Sequence, residues 1–138
     1  MYLKFIKVDE DKKMLIKVNA TSGINVLMHD NWILSNSFDV PYLGPYIYKI
    51  LILNNLKEST KNSHLRNIGY FYDFIEQNFN IHGDEIIFTI DVNFSFKCFQ
   101  AFFIHLENEF LDNEDKKYAI WVSTTDYWEK ISFLRQQH

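Results

Sequence analysis

A chain of 138 residues that is 47% hydrophobic has enough apolar material for one proper core, and at this length a second full domain is not expected. A net charge of −4 speaks against a generic nucleic-acid binder. The single Cys98 cannot close an internal disulfide, no apolar run approaches the roughly 20 residues of a membrane span, and Lys4 and Lys7 interrupt any leader-like opening, so a cytoplasmic protein with no membrane partner is expected.

Residues 2–8 and 13–19 are β-rich, and the acidic stretch from Asp9 to Lys12 between them predicts a hairpin loop. Residues 20–23 form a second break. Short strands follow at Ile24–Met28 and Trp32–Leu34, around His29, Asp30 and Asn31. Residues 1–38 therefore read as a small antiparallel sheet whose polar residues fall mainly at turns, where no catalytic site is expected.

Phe38–Tyr46 switches the chain from strand to helix. Pro41 and Pro45 bar a preceding helix, and Pro45 suits a first helical position. Residues 46–53 are apolar nearly all round, which predicts a helix buried on several sides, ended by residues 54–58.

The stretch 59–79 organises the rest. Ser59 or Thr60 is positioned to cap it, and Leu65, Ile68, Tyr72, Ile75 and Phe79 recur at steps of three and four along one helix face, with His64 and Phe71 at its edge. The opposite arc carries Asn62, Ser63, Arg66, Asn67 and Tyr70 before it turns acidic at Asp73.

Beyond it, Gly83 marks a turn, and Glu85–Ile90 reads as a strand or an extended connector. Asp91 and Asn93 are alternative caps for a third long helix with a stripe of Phe96, Phe99, Phe103, Leu106 and Phe110, helped by Phe102. That stripe reads as core rather than cofactor pocket, and Leu65, Phe99, Phe103 and Leu106 are expected to be nearly inaccessible. Asp112–Asp115 reads as a solvated loop. A last helix is predicted to start near Ser123–Thr125, with Tyr127, Ile131 and Leu134 on one face and Lys130, Arg135 and Gln137 pointing elsewhere. It runs on without a stop signal, as expected of a fragment cut at a domain boundary.

Charge is unevenly spread. Lys49, Lys57, Lys61 and Arg66 face only Glu58 over residues 43–70, whereas residues 71–115 hold ten acidic side chains against Lys97. Lys116, Lys117, Lys130 and Arg135 outweigh Asp126 and Glu129 in the last segment.

Signatures of catalysis are missing. The five histidines (His29, His64, His82, His105 and His138) are scattered, with no zinc-type spacing and no EF-hand. The four glycines are isolated, so no phosphate loop exists, and Cys98 on a phenylalanine-rich face is expected to be inert. Carboxylate pairs such as Glu107/Glu109 and Asp84/Glu85 read as solvated groups at helix surfaces and turns. No metal, no cofactor and no enzymatic activity are expected of this chain alone.

The segment 37–79 resembles the N-terminal core-binding (SAM-like) domain of tyrosine recombinases, the phage-integrase family. The residues that carry the likeness are Ser59, Thr60, His64, Leu65, Ile68, Phe71 and Phe74, with the approach Asp39–Tyr46 similar to integrases in which a small β-segment precedes this domain. His64 stands where an aromatic is usual. The resemblance implies a mainly α fold: a four-helix SAM-like core-binding bundle over about 43–138, preceded by a small antiparallel β-segment over about 1–38, with a domain boundary at 38/39. It implies a duplex-DNA clamp, with the catalytic domain of the same full-length protein and other recombinase protomers on DNA as partners. The family's catalytic arginine, His-x-x-Arg and tyrosine belong to a separate C-terminal domain, so no catalytic role is carried over here.

On that reading the DNA-binding residues are Ser59, Thr60, Lys61, Asn62, Ser63, Arg66, Asn67 and Tyr70, with Lys130 and Arg135 as a second contact. The positive end of the 59–79 helix suits a phosphate, and its asparagines and serine have groups for phosphates or base edges. The alternative is a small α+β interaction module of a mobile element, whose acidic 71–115 surface meets a basic partner.

Overall fold

The computed structural model describes residues 3–7, 15–17, 25–27, 32–88 and 90–136; of 15–17, 25–27, 88 and 133–136 it describes the backbone. Four short strands open it: β1 (Lys4–Lys7), β2 (Leu15–Lys17), β3 (Asn25–Leu27) and β4 (Trp32–Ser35). The expected pairing of the first strand with the second is overturned. β1 pairs antiparallel with β4, Phe5 opposite Leu34 and Lys7 opposite Trp32, while β2 pairs with β3. The pairs are therefore nested. The proposed loops at 9–12, 20–23 and 29–31 lie outside the described residues.

Side chains opposite one another in a ladder share a face, and alternate residues switch face. Ile6 and Ile33 lie on one side of the β1–β4 ladder, against Leu43, Tyr46, Ile47 and Ile50 of the first helix. Phe5 and Leu34 lie on the other, in the main core. Burial on both faces explains why Ile33, Leu34 and Ser35 are inaccessible in succession. In this register the ladder offers an apolar pair to each cluster, Ile6 with Ile33 and Phe5 with Leu34.

The helices are α1 (Leu43–Leu51), α2 (Glu58–Phe79), α3 (Glu85–Phe88), α4 (Val92–Glu109) and α5 (Glu114–Gln136), so the described chain is mainly helical. α1 begins two residues before Pro45, and its N-cap Tyr42 supplies no side-chain cap. α2 is the expected organising helix, but its N-cap is Lys57; Ser59 and Thr60 lie inside its first turn and are not caps. Glu58 takes the first-turn position instead, where a carboxylate suits the helix dipole. Asn80 ends α2 in the left-handed region at φ 52°, which asparagine tolerates better than most residues.

Glu85–Phe88 forms a short helix rather than a strand or connector. Glu85 starts it by accepting the His82 amide at 3.2 Å. Of the two caps proposed for α4, Asp91 is the one used, accepting the Phe94 amide at 2.9 Å. α5 starts well before Ser123. Asn113 caps it through the Lys116 amide at 3.1 Å, so the supposed loop at 112–115 already contains its first residues.

α2 lies at the centre, against α1, α4, α5 and β4. Leu65, Ile68, Tyr72 and Ile75 are all nearly inaccessible, as their spacing predicts, while Phe79 is half-buried. Phe71, expected at the edge, is fully buried and stacks on Phe99 of α4 at 4.2 Å. α4 and α5 run antiparallel, with Phe99 on Trp128 (5.4 Å), Phe103 on Trp121 (4.8 Å) and Glu107 at Lys117 (3.4 Å). Leu65, Phe99 and Leu106 are core as expected. Phe103 is only half-buried, Phe96 is 47% exposed, and Phe102 holds the central place instead. The α4 stripe is rotated by a residue: Phe71 of α2 packs on both Phe99 and Phe102, and Phe103 turns toward Trp121 of α5.

Candidate nucleic-acid interface

Two grooves flank the first half of α2. The first opens between the β1–β4 ladder and α2, is lined by Phe5, Trp32, Lys49, Glu58, Asn62 and Arg66, and has a volume of about 370 Å³. Farther along α2, Gly69 lies close against β4, where an added Cβ would meet Leu34 Cδ2 at 3.0 Å. The second groove, about 400 Å³, lies between α2 and α5 and is lined by Thr60, Ser63, His64, Asn67, Tyr118, Ala119, Val122 and Ser123.

The residues singled out in the sequence therefore divide between two sides of one helix. Asn62 and Arg66 face the first groove; Thr60, Ser63 and Asn67 face the second. Ser59 is exposed on the first turn. Lys61 is half-buried, with its Nζ 3.5 Å from Glu58 Oε2. Asn67 ties α2 to α5, donating through Nδ2 to Ala119 O (3.3 Å) and Ser123 Oγ (3.1 Å). Tyr70 is 40% exposed; its ring meets Phe110 edge-on at 6.0 Å, and Lys116 Nζ lies 5.1 Å from its centroid. Lys130 is half-buried on α5, one turn beyond Asp126, and its charge holds down an Asp126 carboxyl that burial pushes up. The side chains of Leu134, Arg135 and Gln137 lie outside the described residues.

Electrostatics sharpen the first groove. Lys49, 5% exposed, reaches Glu58 Oε1 at 2.9 Å. Hydrogen bonding to Lys49, and the charges of Lys49 and Lys61, hold the Glu58 carboxyl below its ordinary range, so it is an acceptor at neutral pH. Lys7, Lys57 and Arg66 are exposed and make no ion pair among the described residues. Trp32 and Lys49 were not singled out in the sequence. Trp32 looks like an ordinary strand residue and Lys49 like a stray charge in an apolar helix; the packing of β4 on α2 brings the first there, and that of α1 on α2 the second.

A second cluster was read wrongly. Asp84 is not a solvated turn carboxylate: it is 9% exposed and caps α1 from a distance, accepting the Leu43 amide (2.9 Å) and the Gly44 amide (3.0 Å). The Tyr72 hydroxyl lies 3.2 Å from Asp84 Oδ1 and 2.7 Å from the Tyr127 hydroxyl. Beside them Glu76 accepts from Tyr42 Oη (2.6 Å) and the Gly83 amide (2.9 Å), and Tyr48 donates to Asp126. Burial pushes the Asp84 carboxyl up, while the Leu43 and Gly44 amides pull it back. A Cβ on Gly44 would lie 2.3 Å from the Tyr72 hydroxyl oxygen, so glycine is needed for this close approach. The carboxylates' acceptor sites are taken up by fixed donors, which makes the cluster a clasp between α1, α2 and α5 rather than a reacting centre.

Cys98 is fully buried, and burial pushes its thiol up to about 11, in keeping with the inert thiol read from its surroundings. Among the described residues no group of three or more histidine, cysteine, aspartate or glutamate side chains is gathered as a metal site would need. Among them, too, no helix is long and apolar enough to cross a membrane. No family model, curated protein or solved structure matches the chain.

Proposed function

We propose that this chain is a DNA-contacting domain, of the core-binding kind found in tyrosine recombinases, which grips duplex DNA for a catalytic domain carried elsewhere in the same protein. The observation that carries the reading is the trio of exposed cations Lys57 and Arg66, at the start of α2, and Lys7, opposite Trp32 in the ladder, without acidic partners among the described residues. Unpaired cations are the ones free to displace counterions from phosphate. The α2-centred helical arrangement preceded by a strand ladder is compatible with a SAM-like bundle, and the resemblance carried by Ser59, Thr60, His64, Leu65, Ile68, Phe71 and Phe74 adds to it.

Within this reading the roles shift. Arg66 and Lys57 lead the phosphate contact, with Lys7 beside them. Lys61 is secondary because Glu58 already engages it, and Asn67 acts by fixing α5 to α2. Ser59, Thr60, Asn62 and Ser63 remain the polar groups within reach of DNA on either side, and Lys130 and Arg135 the second contact. The alternative, an acidic surface meeting a basic partner, is supported less: Asp84 and Glu76 are spent inside the fold, and Glu107 and Glu114 are paired with Lys117.

The test is a salt titration of duplex binding with Arg66→Ala, Lys57→Ala and, as control, Lys97→Ala on exposed α4. Wild type is expected to bind weakly, at roughly 10⁻⁴–10⁻⁶ M at physiological salt. Each of the first two substitutions should weaken binding to all sequences and lower the salt slope by about one unit, with Lys97→Ala near wild type. Equal losses from all three would mean diffuse attraction and remove α2 from its role. No duplex binding by wild type at low salt would overturn the reading itself.

A further inference from the structure

The first groove holds more than a phosphate contact requires. Glu58, Asn62 and Arg66 stand at successive four-residue steps, so they line one face of α2 a turn apart, in the order acceptor, amide, cation. Facing them across the groove are two aromatic rings, Phe5 and Trp32, and Trp32 is 52% exposed although the other three residues of β4 are buried. A duplex is read from its grooves and backbone and has no use for a recessed aromatic wall. A single base does, because every base has a π-face that stacks on such a ring.

We propose that this groove receives one unpaired nucleotide of DNA, with its base laid against Trp32, its edge read by Asn62 and Glu58, and its phosphate held by Arg66. The inference rests on the DNA-contacting reading and specifies what that surface takes in besides duplex. The volume of about 370 Å³ lies at the small end of ligand sites and suits a single nucleotide rather than a stacked pair.

The charge order fixes the orientation and a preference. Glu58 is held ionised by Lys49 and Lys61. Its charge is already compensated by those two lysines, whereas Arg66 has no acidic partner among the described residues and takes the phosphate; the lone pairs left on Glu58 accept from an exocyclic amine. Cytosine, adenine and guanine carry such an amine, and thymine does not. Asn62, with an amide NH₂ beside a carbonyl oxygen, completes a paired contact to such a base. The site should therefore rank deoxycytidine and deoxyadenosine above deoxythymidine, although flexible thymidine strands are the easier ones to bend into a groove.

The experiment measures anisotropy of labelled single strands of deoxycytidine and of deoxythymidine, and of a duplex of the same length, with the whole chain. Wild type should bind the deoxycytidine strand more tightly than the deoxythymidine strand. Trp32→Ala should weaken deoxycytidine binding by about five- to a hundredfold, the range of one lost base stack, while leaving duplex affinity essentially unchanged. Asn62→Ala, a second substitution on the same wall, should reduce the preference between the two strands. Equal loss on strand and duplex, or a wild type that ranks deoxythymidine first, would overturn the nucleotide site and leave the DNA-contacting reading standing. Wild type binding neither strand nor duplex at low salt would sink both.

Discussion

Asp84 shows how far a single residue can depart from what its neighbours in sequence suggest. Flanked by Gly83 and Glu85, it looks like a solvated turn, yet it is buried against two backbone amides that come from the far side of the fold. Nothing local signals this, because the partners lie some 40 residues away. Asp84→Asn would keep the size but present one N–H to a pair of donors, costing about 1–3 kcal/mol by the usual penalty for an unsatisfied buried group. The pH dependence follows from the raised carboxyl. Its folded value stands above the ordinary 3.8, so the native state holds the proton more tightly than the unfolded chain does. That contribution is fully present below about pH 4 and is lost as pH rises through the folded value. Urea unfolding of wild type and Asp84→Asn across the acid range should thus show the wild-type advantage widest at low pH and narrowing upward. A gap that widens toward neutral pH would reverse the assignment.

At the level of elements, legibility tracked how one-sided each helix is. α2 was readable because its buried residues keep steps of three and four while the far arc is polar. The start of α5 was not, since Tyr118, Trp121 and Val122 are exposed at 71%, 40% and 41% and blur any apolar stripe. α3 is a single turn, too short for periodicity to separate from a strand. In α4 the run Phe102–Phe103 left the phase open by a residue, and packing on α2 decided it. Phe99→Ala should therefore cost about 3–5 kcal/mol, the usual range for a buried phenylalanine, and Phe103→Ala distinctly less. Thermal unfolding of the two variants checks this; similar losses would mean that Trp121 shields Phe103 as well as a core would.

Across the whole molecule, the strand ladder is wedged between α1 and α2, its two faces serving two hydrophobic clusters. The sequence placed strands before helices, yet could not show that they share a core, because pairing of β1 with β4 spans a nested hairpin. The same pairing explains why the groove was only half legible: its helix side was read, its Trp32 side was not. Removing residues 1–38 would strip Ile33 and Leu34, each worth about 2–5 kcal/mol by analogy with core truncations. Together these rival the whole stability of a small domain, roughly 5–15 kcal/mol. A 39–138 chain is expected to lose its cooperative thermal transition, and a sharp melt near that of the full chain would show the wedge to be dispensable.

The remote cap on α1 also orders events in time. α1 has nine residues, below the roughly 12–15 at which isolated helices become even marginal, and it brings no side chain to its own first turn. Its first two amides wait for a carboxylate that is synthesised only after the whole of α2. On the ribosome α1 therefore emerges unfinished and stays so until α2 has formed and the turn at 80–84 has swung Asp84 back to meet it. The 22-residue α2 comes first, and the nine-residue α1, though earlier in the chain, is fastened late.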